Sequence, residues 1–285
     1  MSEGSFQNAT CVLIGHGSTL NAESADPVFQ HSDTIKASGH FARVIECFWK
    51  LEPSICAVPR VIDTDLVFYV PLFISDGYFT EEVIPRELGF DTSAGPEFER
   101  VMHQGNHTAV YCRPIGTHSS MTQVIEKRAL DILEKHPFPH KPEAHDVSLF
   151  IAGHGTGNNV NSRKIIEEQA EIIRRSERFQ NVHPVFMEED PKIEDCYQLA
   201  DTENIVMVPF FISDGLHSYE DIPMMLGAPE KVVRERYEAG QPTWPNPTEM
   251  HGKRVWYTAS IGSEPHLPDV IMERIREAAE WLDKG

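Results

Sequence analysis

A single register shift of 138 residues lays this chain onto itself. Ile14-Gly15-His16-Gly17-Ser18 returns as Ala152-Gly153-His154-Gly155-Thr156 (154 − 16 = 138), and Val70-Pro71-Leu72-Phe73-Ile74-Ser75-Asp76-Gly77 returns as Val208-Pro209-Phe210-Phe211-Ile212-Ser213-Asp214-Gly215 (209 − 71 = 138). Pro53 and Pro191, Pro85 and Pro223, and Leu88-Gly89 and Leu226-Gly227 keep the same spacing. One register held without a gap over more than seventy residues means two copies of one architecture. A chain of 285 residues has room for one large or two mid-sized domains, and the repeat points to two halves.

Each half alternates strand and helix signals. Short β-branched or aromatic runs predict strands at 10–14, 43–48, 66–70 and 108–112, and again at 147–151, 182–187, 205–208 and 254–258. Asp26-Pro27 reads as a helix start with proline in the first turn, and Met121, Val124, Ile125, Ile132 and Leu133 recur at helical spacing. In the second half helices are predicted at 162–179, with Ile165, Ile166, Ile172 and Ile173 on one face, and at 269–282. Short strands alternating with helices give βαβ units, hence an α/β fold in which each half is a parallel sheet flanked by helices. The stretch 137–146, with Pro137, Pro139 and Pro142, cannot continue a helix. It is expected to link an N-terminal half, 1–136, to a C-terminal half, 147–285. Residues 227–252 exceed their counterpart and predict a surface insertion.

Charge and hydropathy exclude several classes of function. With 25 basic and 44 acidic side chains the formal net charge is −19, a poor match for a phosphate backbone, so no nucleic-acid partner is expected. The longest apolar run, 66–74, is nine residues and holds Pro71, against the roughly 20 that a membrane span needs. No membrane partner is expected. Residues 1–10 carry neither a basic flank nor an apolar stretch, so no secretory signal is expected. Five cysteines without a CxxC pair predict reduced thiols in a cytoplasmic protein, with no disulfide frame, zinc knuckle or Fe–S cluster.

Chemistry in an open α/β sheet gathers outside the carboxyl ends of the strands, and both repeated motifs fall there. His16 and His154 follow the first strand of each half; the Ser-Asp-Gly loops follow the third. The halves differ at one position: His217 of the second corresponds to Phe79 of the first (217 − 138 = 79), while Glu220 corresponds to Glu82. Only the second half therefore places a histidine on both strand-end loops, with a carboxylate three residues beyond the second. Two neutral imidazoles and a carboxylate suit a borderline divalent ion such as cobalt, iron, nickel or zinc. The same trio suits proton transfer near neutral pH, which keeps open an acid–base enzyme acting through His154 on a small acid. Ser213, Asp214 and Gly215 form the strand-end loop and are expected to touch substrate. Arg163 and Lys164 start the helix beyond the His154 loop and are candidates to receive an acidic ligand. Gly153-x-Gly155-x-Gly157 lacks the spacing of a dinucleotide fingerprint, and no GK[ST] or GxSxG is present, so neither a nucleotide nor a serine-hydrolase elbow is expected. His103 and His107 are expected in a solvated loop.

A strand ending in Gly153-His154-Gly155-Thr156, a proline-headed Phe-rich segment at Val208–Phe211, and Gly215-Leu216-His217 running to Asp221-Ile222-Pro223 together resemble the class II tetrapyrrole chelatases, nearest to the CbiX-like sirohydrochlorin cobaltochelatase/ferrochelatase type. The segment Phe186-Met187-Glu188 with Pro191 also resembles that family's acidic stretch. The resemblance spans residues 10–135 and 147–283. It implies two flavodoxin-like halves and a lyase that inserts a divalent metal, cobalt(II) or iron(II) with nickel(II) also suited, into a tetrapyrrole such as sirohydrochlorin without ATP, in cobalamin or siroheme biosynthesis. It further implies that the metal is a substrate held by His154 and His217 with Glu188 or His16, and that Glu220 or Glu188 accepts protons. Duplicated members commonly keep the complete histidine pair in one half, often the N-terminal one; here it is in the C-terminal half, and Trp49-Lys50 stand opposite Met187-Glu188. That departure keeps alive a non-catalytic metal or tetrapyrrole carrier of the same fold. A carboxylate-rich ring also needs local cations against a net charge of −19, and Arg86, Arg113, Arg163 and Lys164 are the candidates. Monomer and homodimer both remain open.

Overall fold

The computed structural model describes residues 6–19, 22–155 and 160–283. The chain divides into two compact units, Met1–His118 with Pro265–Gly285, and Ser119–Glu264. The first carries β1 (Ala9–Gly15), β2 (Arg43–Phe48), β3 (Leu66–Pro71), β4 (Val101–Gln104) and β5 (His107–Tyr111) in the order β2-β1-β3-β5-β4. The second carries β6 (Val147–Gly153), β7 (Asn181–Phe186), β8 (Asn204–Pro209), β9 (Thr248–Met250) and β10 (Lys253–Tyr257) in the order β7-β6-β8-β10-β9. Pairing is parallel except for the edge hairpins β4–β5 and β9–β10. Leaving aside the edge strands, this is the flavodoxin-like order that the resemblance implied. Every residue of β1 and β6 is buried, as central strands covered on both faces must be. Even the buried hydroxyl pairs repeat: Thr10 bonds Thr64 at 2.8 Å, and Ser148 bonds Thr202 at 2.9 Å.

The compact units do not follow the repeat boundary. Helix α3 (Met121–Lys135) closes the first repeat but packs on β8 and β10 of the second unit. Helix α8 (Leu267–Ala279) closes the second repeat but packs on β3 and β5 of the first unit. The expected division at 136 and 147 is displaced because the repeats exchange their last helices. Both helices bury an apolar stripe, Met121, Val124, Ile125, Ala129 and Leu133 in α3, and Leu267, Val270, Ile271, Ile275 and Ala278 in α8. Nothing in such a pattern ties either helix to its own sheet. Residues 137–146 accordingly lead from α3 to β6 inside the second unit. There the Trp256 indole N–H donates to the His136 carbonyl (2.9 Å), and Lys141 pairs with Glu134.

An arginine, half-buried in α3 and buried in α8, fixes each exchanged helix. Arg128 of α3 donates to the Ser260 carbonyl (2.9 Å) and the Ser263 hydroxyl (2.8 Å), and lies 3.2 Å from the buried Glu264 carboxylate. Arg274 of α8 donates to the Pro114 carbonyl (3.0 Å) and the Thr117 hydroxyl (2.8 Å), and pairs with Glu277. In each unit the arginine holds the turn that follows the last parallel strand.

The remaining helices are α1 (Asp26–Ser38), α2 (Ile84–Glu87), α4 (Val160–Arg175), α5 (Cys196–Leu199), α6 (Ile222–Met225) and α7 (Glu230–Glu238). In α4 the buried face is Ser162, Ile166, Gln169, Ala170 and Ile173, whereas Ile172 is exposed. The paired residues Asn204 and Arg254 are 50 apart in sequence (254 − 204), while Leu66 and Thr108 are 42 apart (108 − 66), so the second unit carries eight extra residues here. The expected insertion is thus real, and it holds α7, while β9 answers to β4 of the first unit. His103 and His107 do not lie in a loop: they belong to β4 and β5, and His103 Nδ1 lies 3.0 Å from the Thr108 hydroxyl. All five cysteines are free thiols, Cys56 exposed and the others buried. Among the described residues no helix is long and apolar enough to cross a membrane.

Candidate metal centre

Successive strands lie on opposite sides of β1, and likewise of β6, so a crevice opens at the carboxyl ends of β1 and β3 and of β6 and β8. His154 stands at the end of β6. A Cβ on Gly153 would lie 2.1 Å from Ile166 Cδ1, and one on Gly155, whose φ is +68°, would lie 2.6 Å from Phe186 Cβ. The two glycines let the loop press onto α4 and β7, which explains the Gly-His-Gly pattern. Thr156 and Gly157 lie outside the described residues. Gly155→Ala is expected to lose at least about 2 kcal/mol in urea denaturation, from left-handed backbone strain and overpacking.

His217 opens a π-helical turn, His217–Asp221, that runs into α6. Such turns are frequent at functional sites. The rings of His154 and His217 lie 5.0 Å apart, centroid to centroid, at 87°. Asp221 Oδ2 is 2.6 Å from His217 Nδ1. The carboxylate holds the proton on Nδ1 and leaves the Nε2 lone pair for a ligand, as carboxylates behind metal-binding histidines do. His154 Nδ1 has no hydrogen-bond partner among the described residues; its nearest carboxylate oxygen is Glu188 Oε1 at 3.6 Å. Glu220 makes no hydrogen bond or ion pair with either histidine among the described residues; its neighbour Asp221 does so instead. No group of three or more His, Cys, Asp or Glu is arranged to hold a metal ion among the described residues. The site is therefore two imidazoles with carboxylates behind them, not a closed cage. An ion held there keeps positions open for other donors.

The other expected residues are placed as follows. Arg163 donates to Glu167 (2.8 Å), Glu189 (3.0 Å) and the Asp190 carbonyl (3.0 Å), with its guanidinium 4.8 Å above the Phe186 ring. Its charge is thus already matched by carboxylates. Lys164 is exposed, 3.6 Å from Glu168. Both Asp214 oxygens are engaged, by the Ser260 N–H (2.8 Å) and the Ser263 hydroxyl (2.9 Å), and the Gly215 carbonyl accepts from Ser218 and Tyr219 (both 2.9 Å). Ser213 lies half-buried in that loop. Arg86 and Arg113 are exposed residues of the first unit.

His16 belongs to the first unit, where the matching site is aromatic. Its ring meets Phe79 at 5.5 Å and Phe73 at 6.4 Å, Trp49 meets Phe79 at 6.0 Å, and its Nδ1 is 2.7 Å from the Gly17 carbonyl. Asp221 corresponds to the buried Val83 (221 − 138 = 83). The first unit thus lacks the second histidine together with its carboxylate.

The CbiX sequence profile matches residues 10–132 and 148–278, one stretch in each repeat. The chain belongs to the CbiX family. It is 42% identical over 277 residues to a probable sirohydrochlorin cobaltochelatase of Halobacterium salinarum, covering 94% of this chain and 90% of that one. Among solved structures, a Deinococcus radiodurans multi-domain protein described as structurally similar to chelatases superposes with a TM-score of 0.73 at 26% identity, over 94% of this chain and 54% of that one. This chain spans about half the length of that relative. The cobalt complex of the sirohydrochlorin chelatase SirB from Bacillus subtilis subspecies spizizenii, at 17% identity over 96% of both chains and a TM-score of 0.61, shares the fold.

In this CbiX-family chain the structure adds Asp221 to the site through its contact with His217. Asp221 stood in the Asp-Ile-Pro signature, and its spacing four residues after His217 is the helical signal that it faces the ring. Asp221→Asn is expected to weaken cobalt(II) binding in the absence of macrocycle by 10- to 100-fold, read by calorimetric titration. An unchanged affinity would remove the orienting role.

Proposed function

We propose that this CbiX-family protein inserts a divalent metal into sirohydrochlorin, with cobalt(II) as the metal and the second unit as the working site. The perpendicular His154–His217 pair, backed by Asp221 and Glu188, is the observation that carries this reading. The sirohydrochlorin cobaltochelatase name of the Halobacterium salinarum relative supports the choice of ring and metal.

Metallation removes two protons from the pyrrole nitrogens and adds one dication, so the reaction needs a donor for the ion and an acceptor for the protons. His154 and His217 hold the ion through imidazole nitrogens, weakly enough for the four ring nitrogens to displace them. Asp221 keeps His217 in the tautomer that donates from Nε2. Once the ion has left, both rings are free to take up protons, and Glu188 and Asp221 stabilise the imidazolium that forms. The acidic surroundings, unhelpful to a polycarboxylate, raise the local concentration of a dication.

Anaerobic absorbance of sirohydrochlorin with cobalt(II), iron(II) or nickel(II) tests the proposal. The expected result is a metallation rate above the uncatalysed one, fastest with cobalt, and more than one product formed per protein. A ring spectrum that shifts on binding while metallation stays at background would favour a carrier instead. Activity on a small acid that survives metal chelation would favour acid–base chemistry at His154.

A further inference from the structure

The second unit holds a cavity of about 400 Å³ that the metal centre does not use. It lies at the carboxyl ends of β8 and β10, lined by Asp214 and by Thr258 and Ala259, on the same edge of the sheet as His154. Ser218, which follows His217 directly, is part of its wall. Two spacings separate β6 from β10, about 10 Å at the usual inter-strand distance. The volume lies in the range of small-molecule sites.

Its far wall lies between α7, which the eight-residue excess of the second repeat supplies, and β9. Pro242, Trp244 and Pro245 form that wall. It is fixed in place: the Trp244 indole N–H donates to the Val255 carbonyl (3.1 Å), and Asn246 makes two hydrogen bonds to the Tyr257 backbone (2.9 and 2.7 Å). Two cations reach the cavity, Lys135 from the end of α3 and Arg236 from α7. Arg236 donates from Nε to the Pro242 carbonyl (2.7 Å). Among the described residues neither cation has a carboxylate partner, in contrast to Arg163, Arg174, Arg175 and Arg178 of the same unit. Asp214 is the one acid in the lining, and both its oxygens are already hydrogen-bonded.

The geometry points to a seat for a carboxylate on an apolar stem. An arginine fork and an ammonium meet the anion, while the tryptophan and proline faces cover the stem. The proposed function supplies such a group beside the histidine pair, and the inference rests on that reading: one carboxylate-bearing arm of the macrocycle enters this cavity while the ring nitrogens face His154 and His217. The cavity thereby answers the charge problem posed by a −19 protein and a polycarboxylate ring, with cations supplied by α3 and α7 and not by Arg163.

The test is anaerobic calorimetric titration of metal-free protein with sirohydrochlorin, and separately with benzoate, in the wild type, in Lys135→Gln/Arg236→Gln and in Arg236→Lys. The double variant is expected to bind sirohydrochlorin at least tenfold more weakly, with the metallation defect in KM and not in kcat. Arg236→Lys is expected to retain most of the affinity, and benzoate to compete with sirohydrochlorin in the wild type. If benzoate binds and is lost in the double variant while sirohydrochlorin affinity is unchanged, the cavity serves a free small carboxylate and the arm proposal is overturned. If neither affinity moves more than twofold, the cavity is not an anion seat. Failure of the chelatase reading looks different: sirohydrochlorin binds the wild type, yet metallation stays at background.

Discussion

His217→Ala and His154→Ala are each expected to slow cobalt insertion into sirohydrochlorin at least a hundredfold, leaving the ring bound. In the proposed reaction both imidazoles hold the ion and act as bases for the departing protons, and loss of a positioned base alone costs roughly 10²- to 10⁴-fold. The measurement is the initial rate of the absorbance change under anaerobic conditions, with ring affinity determined in parallel. His16→Ala is expected to stay within about fivefold of the wild type, because its partner position holds Phe79 and the carboxylate position holds Val83. Equal losses at His16 and His217 would mean that the two halves share the chemistry.

The largest expected effect on stability is at Arg128. Its guanidinium faces Glu264, which is 2% exposed, and holds the Ser260–Ser263 turn to which Asp214 also binds. Removing one partner of a buried ion pair leaves an uncompensated charge and costs about 3–5 kcal/mol. Arg128→Met is expected to lower the urea midpoint accordingly, and Arg128→Met/Glu264→Leu to recover a good part of the loss. A change below about 1 kcal/mol in Arg128→Met would show that the exchanged helix is held by its apolar stripe alone.

Much of the architecture can be read from the repeat. A fixed offset of 138 marks the strand ends in both halves, and those ends are where a parallel sheet collects its chemistry. The helix exchange is invisible to the same reasoning, since α3 and α8 show equivalent apolar stripes and the pattern does not say which sheet each covers. The edge strands β4 and β9 are four and three residues long, too short for alternation to register. Helix α7 buries only Val233, so its stripe is nearly absent, and its role as a cavity wall emerges only from the fold. At the site the histidine pair was legible because one repeat has it and the other does not. Asp221 was less so: a carboxylate that acts through another residue leaves only a spacing. Arg163 illustrates the reverse, a cation well placed in sequence whose charge the fold gives to Glu167 and Glu189.

The central claim is that His154 and His217 together form the ion's station in the second unit. Cobalt(II) added to the protein without macrocycle tests it most directly, through X-ray absorption at the metal edge in the wild type and in His154→Ala/His217→Ala. The account predicts one bound cobalt with two imidazole nitrogens in its shell, absent from the double variant. Cobalt bound equally by both proteins, or a shell without imidazole, would contradict it.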